Sequence, residues 1–463
     1  MKACLPRSKK GPGRALPGGN FTETGPAPRP IVETVCVIKL LSSDFVRNVM
    51  ALVTGNAVAQ VIPLAAEPFL TRLYRPEEFG ILALFISIST LFAVVATGRY
   101  EMAVMLPAAD REAAPVFWAA VAVTLFVSVV SLFLMAGFNG PICRLLGSPG
   151  LSPYLYLVPV VVFFYGIYQS LHYWMARRKD FWQISGSRVT QSLSSAGLGV
   201  AAGYGGLGAS GLVLAQVAGQ ALSAVHLAFF GLFRGKGPAF PARWRDITAA
   251  ARSYREFPQL NTWFILTDTA QYSGISFLIA YYFDEASLGF YSRTFRILAV
   301  PLSFIGSALS HVFYQKAAEI MATGGNLKGF TVRVLLGALA VASPVFLVIL
   351  LWGPDLFAFV LGSPWREAGE YARILAPWMM LRFAFAPLSQ VPLLVNRQKE
   401  LLGLNVTGIA LVLGAVAAGG IWTGDVTWSL FLLSATQAVF LVGMILWAVR
   451  ILPPERGVGI GPS

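Results

Sequence analysis

The feature that most constrains this chain is a series of apolar runs of about 20 residues, six before and six after a basic stretch at Arg234–Pro258. A helix of that length crosses the ~30 Å hydrocarbon core of a bilayer. Only 12% of the residues are charged and mean hydropathy is +0.66, whereas a soluble domain is about 25% charged. The pattern therefore predicts an all-α polytopic membrane protein with about twelve transmembrane helices.

The boundaries of these runs predict the domain organisation. A basic, Pro- and Gly-rich head at 1–41 has no helical or strand period and is expected to be disordered, or to reflect a start codon assigned too early. It precedes a six-helix lobe at 42–233, a cytoplasmic linker at 234–258, a second six-helix lobe at 259–450 and a tail at 451–463. The predicted spans are 48–73, 80–106, 114–138, 151–175, 184–208, 209–233, 259–283, 288–314, 330–352, 370–395, 401–421 and 426–450.

The net charge of +13 is distributed between loops rather than along one face. Alternate loops hold fifteen Lys and Arg residues, while the remaining loops hold four. Because short basic loops resist translocation, both termini are predicted to be cytoplasmic. The same clustering argues against a nucleic-acid partner.

Motifs of soluble chemistry are missing from the sequence. The three cysteines have no metal-ligand or disulfide spacing, and there is no Gly-rich loop ending in Lys and Ser or Thr. We expect no cofactor, no metal site and no catalytic residues. Transport would then draw on a proton or sodium gradient, the membrane potential or the substrate's own gradient.

A short motif occurs once in each half. Leu73–Gly80 (LYRPEEFG) ends the first span, and Tyr282–Gly289 (YFDEASLG) ends the seventh, 209 residues later. Each has an aromatic residue, acids and a closing glycine. With six spans per half in the same orientation, this predicts two parallel repeats related by an axis along the membrane normal, with a central cavity between the lobes.

Candidate site residues are polar groups at membrane depth, where an ionised side chain costs about 2.5–3.5 kcal/mol. Arginine suits phosphate oxygens, and aromatic and amide groups suit sugars. The candidates for substrate binding in the cavity are Arg293, Arg296, Arg382, Asn56, Gln60, Tyr165 and Gln169, and the candidates for ion coupling or ion pairing are Glu67 and Asp268.

Structural explanations stay open for several of them. Arg293 and Arg296 lie near enough to one membrane surface to snorkel. Arg382 is more central, and is either a substrate contact or a partner of Asp268 or Glu67. Asn56 and Gln60 equally suit interhelical hydrogen bonding. Arg99 and Glu101, near the cytoplasmic end of the second span, are better explained as an interfacial anchor.

Three segments carry a family resemblance: Thr71–Gly80 (TRLYRPEEFG), Gly98–Pro107 (GRYEMAVMLP) and Asn396–Glu400 (NRQKE). They resemble the polysaccharide biosynthesis flippases of the multidrug/oligosaccharidyl-lipid/polysaccharide (MOP) exporter superfamily. The head at 1–41 departs from the family pattern.

The resemblance implies a V-shaped two-lobe bundle that carries an undecaprenyl-pyrophosphate-linked glycan to the periplasmic leaflet by alternating access. It implies cavity cations for the pyrophosphate, and fits Arg293, Arg296 and Arg382 to that role. Expected partners are membrane lipids, a polysaccharide polymerase and glycosyltransferases. The alternatives are a drug exporter or peptidoglycan-precursor flippase of the same superfamily, or a membrane-embedded polymerase or ligase.

Overall fold

The computed structural model describes residues 43–233, 237–239, 243–258 and 262–452. These residues form helices and connecting turns, and twelve of the described helices have 20 or more residues. They are α1 Ser43–Leu73, α2 Pro76–Val95, α3 Asp110–Leu145, α4 Val158–Arg177, α5 Phe181–Tyr204, α6 Gly208–Ala228, α7 Thr262–Tyr282, α8 Glu285–Ala322, α9 Leu327–Leu361, α10 Arg366–Phe385, α11 Gln398–Trp422 and α12 Val426–Arg450. Each matches one predicted span, so the all-α fold is confirmed.

The length and apolar composition of each helix indicate whether it can cross a membrane. Seven of the described helices are long and apolar enough to cross a bilayer alone. The number rises to nine when two bent pairs each count as one span, Pro149–Leu155 with Val158–Arg177 (48°) and Ser363–Phe385 with Leu388–Leu394 (50°). Three helices, α1, α5 and α7, fall outside that set.

The predictions for the chain ends and for part of the linker concern residues outside those that the structure describes. This holds for the head at 1–41 and for the tail beyond residue 452. Within the linker, a helix at Trp244–Ser253 packs on α3. Tyr100 donates its hydroxyl to the carbonyl of Ala251 at 3.0 Å, which ties this helix to the N-terminal lobe.

We keep the predicted division into an N-terminal and a C-terminal lobe, and within each half neighbouring helices pack on one another. In the N-terminal lobe, α1 to α6, the strongest pairings join α5 to α6 and α3 to α4; in the C-terminal lobe, α7 to α12, they join α9 to α10 and α11 to α12. The lobes meet because α2 packs on both α7 and α8. We call the side of the bundle that holds the turns Leu73–Gly80 and Tyr282–Gly289 the turn end, and the opposite side the linker end.

The repeated motif forms the two helix starts at the turn end. Pro76 occupies the first turn of α2, and Glu78 accepts a hydrogen bond from the backbone N–H of Arg75 at 2.8 Å. At the start of α8, Asp284 accepts one from the N–H of Ser287 at 2.7 Å. The acids of the motif thus satisfy N–H groups that a helix leaves unpaired in its first turn.

The two motif glycines make a close backbone contact between the lobes. A Cβ atom on Gly80 would lie 1.9 Å from the carbonyl oxygen of Glu285, and one on Gly289 would lie 1.9 Å from that of Pro76. Each glycine therefore faces the carbonyl four residues before the other. A reciprocal contact of this kind is the mark of two-fold symmetry, and here it relates two halves of one chain 209 residues apart.

Three predicted spans are interrupted, the second, the fourth and the tenth; the fourth bends by 48° between Leu155 and Val158. The second was expected to run to 106, but α2 ends at Val95, and Gly98 and Arg99 both adopt positive φ (56° and 63°) before the short helix Tyr100–Ala103. The tenth bends after Phe385 and resumes at Leu388. Periodicity does not report such breaks, because apolar residues continue on both sides of them.

Candidate functional site

The first cluster of charged groups joins the two lobes near the turn end. Glu67 of α1 accepts a hydrogen bond from Nη1 of Arg293 on α8 at 3.1 Å, and Nε of Arg296 lies 3.3 Å from the same carboxylate oxygen. The Arg293 guanidinium also lies over the ring of Phe79, 4.5 Å from its centroid. Three residues singled out in the sequence are thus brought together, as an ion pair with a second cation.

Burial separates the roles of the two arginines. Glu67 and Arg293 are 1% and 4% exposed, whereas the side chain of Arg296 is 37% exposed. Oε2 of Glu67 and Nε of Arg293 are buried without a hydrogen-bond partner. Arg293 is therefore committed to the interlobe contact, and Arg296 is the member of the cluster that a ligand can reach.

Further hydrogen bonds reinforce the same junction. Thr71 donates to the carbonyl of Leu361 at 2.9 Å, and the indole of Trp365 donates to the carbonyl of Thr71 at 2.8 Å. Ser148 donates to the carboxylate of Glu285. All of these bonds cross between the lobes at the turn end, which they hold closed.

Arg382 lies at the bend of the tenth span, away from the first cluster. It donates to the hydroxyl of Tyr272 at 2.6 Å, and its guanidinium carbon lies 5.5 Å and 5.7 Å from the ring centroids of Tyr272 and Phe295. The side chain is half-buried. The structure pairs Glu67 with Arg293 and Arg296 rather than with Arg382, and the side chain of Asp268 lies outside the described residues.

Two cavities in the C-terminal lobe share Arg382 as a wall. One, of about 460 Å³, lies between α8 and α10; the other, of about 490 Å³, lies among α7, α10, α11 and α12. Of the described residues, those that line these cavities include no Asp or Glu. Their polar members, besides Arg382, are Ser303, Ser307, Ser310, His311, Ser389 and Gln390 in the first and Gln271, Tyr272, Ser389, Asn405 and Gln437 in the second.

Three serines of α8 line the first of these cavities. Ser303 and Ser307 donate to carbonyls three residues earlier and Ser310 to one four residues earlier. Their hydroxyl protons are therefore used within the helix. What they offer a ligand is an accepting oxygen.

The polar candidates of the N-terminal lobe fall into two groups. Asn56 accepts a hydrogen bond from Arg188 of α5, and Gln60 is half-buried on the same helix. Gln169 donates to the hydroxyl of Tyr165 at 2.8 Å. Tyr165 also lines a cavity of about 170 Å³ among α2, α4 and α6.

Two other charged groups have structural explanations in the fold. Arg373 donates to the carbonyls of Leu350 and Leu351 at 2.8 Å and 3.2 Å, where Pro354 leaves the helix of α9 without a donor. Glu101 is buried, accepts a hydrogen bond from Thr97 at 2.5 Å and pairs with Arg99 at 3.3 Å. This burial departs from the solvated position expected of an interfacial anchor.

Sequence reasoning missed several cavity groups. Tyr272 was not singled out, although the spacing of four residues from Asp268 places both on one helical face. Gln216 and Gln220 of α6 have the same spacing and would have been found by that criterion. Arg188 carried a signal too, since it is a charged residue inside the predicted span 184–208.

The comparisons with known proteins agree with this architecture. The polysaccharide biosynthesis protein family matches residues 69–370, while no curated protein matches the chain by sequence. Among solved structures, an inward-facing multidrug resistance MATE family transporter of the MOP superfamily has a TM-score of 0.68 at 14% identity, covering 87% of this chain and 98% of that one.

Two further structures show the same fold. Lipid II flippase MurJ, in an inward closed conformation, has a TM-score of 0.67 at 10% identity, covering 87% of this chain and 88% of that one. A MOP superfamily transporter from Pyrococcus furiosus has a TM-score of 0.52 at 13% identity, with 88% and 95% covered.

The fold and the buried polar groups define a multi-pass membrane protein with the two-lobe architecture of MOP superfamily transporters. Because the family match covers most of its length, the chain belongs to the polysaccharide biosynthesis protein family.

Proposed function

We propose that this protein is a flippase that moves a polyprenyl-pyrophosphate-linked oligosaccharide across a bacterial inner membrane by alternating access. The glycan would be a repeat unit for O-antigen, capsule or exopolysaccharide synthesis, received from glycosyltransferases and passed to a polymerase. The observation that carries the proposal is Arg382, a cation at a bent span between two cavities whose described lining residues include no acid.

The chemistry of Arg382 fits a pyrophosphate better than a cationic drug. One of its nitrogens is held by Tyr272, and the planar guanidinium lies against two rings, which fixes its orientation without neutralising its charge. A fixed guanidinium binds phosphate oxygens through two parallel hydrogen bonds. An organic cation would be repelled by the same group.

The physical task explains why such a cavity is needed. A pyrophosphate and several sugars cannot cross hydrocarbon unaided, because each unpaired polar group costs several kcal/mol there. A polar cavity supplies donors and acceptors along the way, while the prenyl chain stays in the lipid. No bond has to be made or broken, so the proposed role is transport rather than catalysis.

The direction of opening follows from where the lobes are joined. Glu67, Thr71 and Ser148 tie the turn end shut, whereas the cavity of Arg382 extends along α8 to His311, towards the linker end. With the basic linker in the cytoplasm, this arrangement would receive substrate from the cytoplasmic leaflet. Release would require the turn end to separate.

A flipping assay in proteoliposomes tests the proposal. The probe is a fluorescent undecaprenyl-pyrophosphate-linked oligosaccharide, and the readout is its initial rate of transfer between leaflets. Loss of charge-assisted hydrogen bonds predicts that Arg382→Ala lowers this rate about 10- to 100-fold, with Arg382→Lys between the two. Arg366→Ala, at an exposed arginine paired with Asp355, is the matched control and should retain the wild-type rate.

Two results would overturn the proposal. The first is a wild-type protein that transports an organic cation but not the pyrophosphate-linked lipid. The second is an unchanged rate for Arg382→Ala at equal insertion.

A further inference from the structure

A cavity in the N-terminal lobe stands apart from the arginines. It holds about 170 Å³ among α2, α4 and α6, and its polar lining residues are Ser89, Thr90, Tyr165, Gln216 and Gln220. At roughly 30 Å³ per water it has room for about six waters. It therefore suits one sugar ring rather than an oligosaccharide.

Two lining groups in this cavity are left without partners. Gln220 is 6% exposed, and its Oε1 accepts a hydrogen bond from Gln191 at 2.8 Å while its Nε2 has no partner. Ser89 is 4% exposed, and its hydroxyl has no partner either. Buried polar groups are normally hydrogen-bonded, so each is a site for a ligand atom or an ordered water.

The remaining lining groups define what kind of ligand fits. Tyr165 presents an aromatic face, and its hydroxyl, which accepts from Gln169, still has a proton to donate. Gln216 is half-buried and also lines the cavity. Amides, hydroxyls and one ring, with no charged group among the described lining residues, match the hydroxyls and apolar face of a sugar ring rather than a phosphate or a cation.

The position of the cavity connects it to the cationic cluster. Gln216 also lines the small cavity next to Arg296, so one side chain borders both spaces. Neutral donors on the N-terminal lobe thus adjoin a cation that a ligand can reach. A substrate that carries both sugars and phosphate groups has this combination of chemistry.

We propose that the cavity among α2, α4 and α6 is a monosaccharide subsite, in which Gln216, Gln220 and Tyr165 bind one sugar ring of the transported lipid. The inference rests on the proposed function and adds to it. Recognition of the glycan is assigned to the N-terminal lobe, separately from the pyrophosphate contact of Arg382.

Binding to two lipids tests the subsite. The purified protein, in nanodiscs, is titrated with undecaprenyl pyrophosphate bearing a single N-acetylglucosamine and with undecaprenyl pyrophosphate alone. We expect Gln216→Ala and Tyr165→Phe each to weaken binding of the sugar-bearing lipid about three- to tenfold, the value of one lost hydrogen bond, and to leave the sugar-free lipid unaffected. Arg382→Ala should weaken both lipids.

Matched controls and contrary outcomes separate this inference from the proposed function. Gln398→Ala and Tyr204→Phe alter exposed residues of the same types and should change neither affinity. If the wild type binds both lipids equally, or if the subsite variants weaken both alike or neither, the subsite is wrong while the flippase proposal stands. If the wild type binds neither lipid, both proposals fail.

Discussion

Helices α2 and α8 are the same element of the two repeats, but they differ in the arginine residues that they carry. Both begin with the repeated turn, and their glycines make the reciprocal contact at the turn end. At the 209-residue offset, however, Arg293 and Arg296 of α8 correspond to Leu84 and Ser87 of α2. The helices share their backbone contact, but only α8 has arginines on its length.

The counter-charge of these arginines is also present in one repeat only. Glu67 of α1 corresponds to Ser276 of α7 by the same offset. The ion pair is therefore made once, between α1 and α8, and has no symmetric copy at these positions. The repeat sets how the lobes meet, while departures from the repeat place the polar groups that a substrate or a gate can use.

The largest effect is expected from the shared feature. Gly289→Ala and Gly80→Ala each place a Cβ 1.9 Å from a backbone oxygen, which cannot move aside as a flexible side chain would. Overpacking costs about 1–3 kcal/mol in ordinary cores, and we expect at least that here, so the turn end is forced apart. The measurement is the rate at which an impermeant maleimide labels a cysteine at Ser148, which is inaccessible in the closed contact.

The control for this prediction lies in a helix with free space. A Cβ on Gly337 meets nothing within 4 Å, so Gly337→Ala should leave labelling unchanged. Slow labelling in the Gly80 and Gly289 variants would show that the reciprocal contact does not govern the turn end.

The unshared ion pair should have the next largest effect. Glu67→Gln leaves the buried guanidinium of Arg293 without a counter-charge, which costs about 3–5 kcal/mol. Thermal unfolding in detergent should show a large loss of stability for this variant and a partial recovery in Glu67→Gln with Arg293→Gln. If the double variant lost as much stability as Glu67→Gln alone, or the sum of the two single losses, this would contradict coupling between the two side chains.

The smallest effect on stability is expected at Arg296. The Arg296 side chain is more than a third exposed, and without it Glu67 still pairs with Arg293. Arg296→Gln should therefore lower the free energy of unfolding by less than about 1 kcal/mol. If Arg296 contacts substrate, the initial rate of flipping should still fall several-fold at near-normal stability. Normal flipping with lowered stability would instead make Arg296 a second structural partner of Glu67.

Much of the fold follows from sequence because hydrocarbon imposes a simple rule. Apolar runs of spanning length predicted all twelve long helices, and the turns ending at Gly80 and Gly289 indicated the repeat. That the lobes touch at these turns is seen only in the structure. The breaks near Arg99 and Arg382 were not predicted, since a local change of backbone angle leaves no trace in hydropathy. The positive φ at Arg99 is an example.

The site was predicted less completely than the fold. The free-energy cost of a charged side chain at membrane depth identified Glu67, Arg293, Arg296 and Arg382. Helical periodicity alone, however, does not show which of these side chains form ion pairs. Pairing depends on the rotation of α1 against α8, which packing between lobes determines. Gln216 and Gln220 could have been found by their spacing of four residues, although this pattern of neutral amides does not distinguish a binding site from interhelical hydrogen bonding.

The most direct measurement is flipping by a protein whose turn end is locked. With the natural cysteines replaced, Ser148→Cys and Glu285→Cys place thiols where two side chains now meet across the lobes, and a short bifunctional thiol reagent joins them. Asn139→Cys with Ser152→Cys, whose side chains hydrogen-bond within the N-terminal lobe at 2.7 Å, is the matched control. Alternating access predicts that the interlobe cross-link stops flipping of the pyrophosphate-linked lipid and that cleaving the cross-link restores it. The control cross-link should have no effect. Continued flipping with the turn end locked would contradict the account.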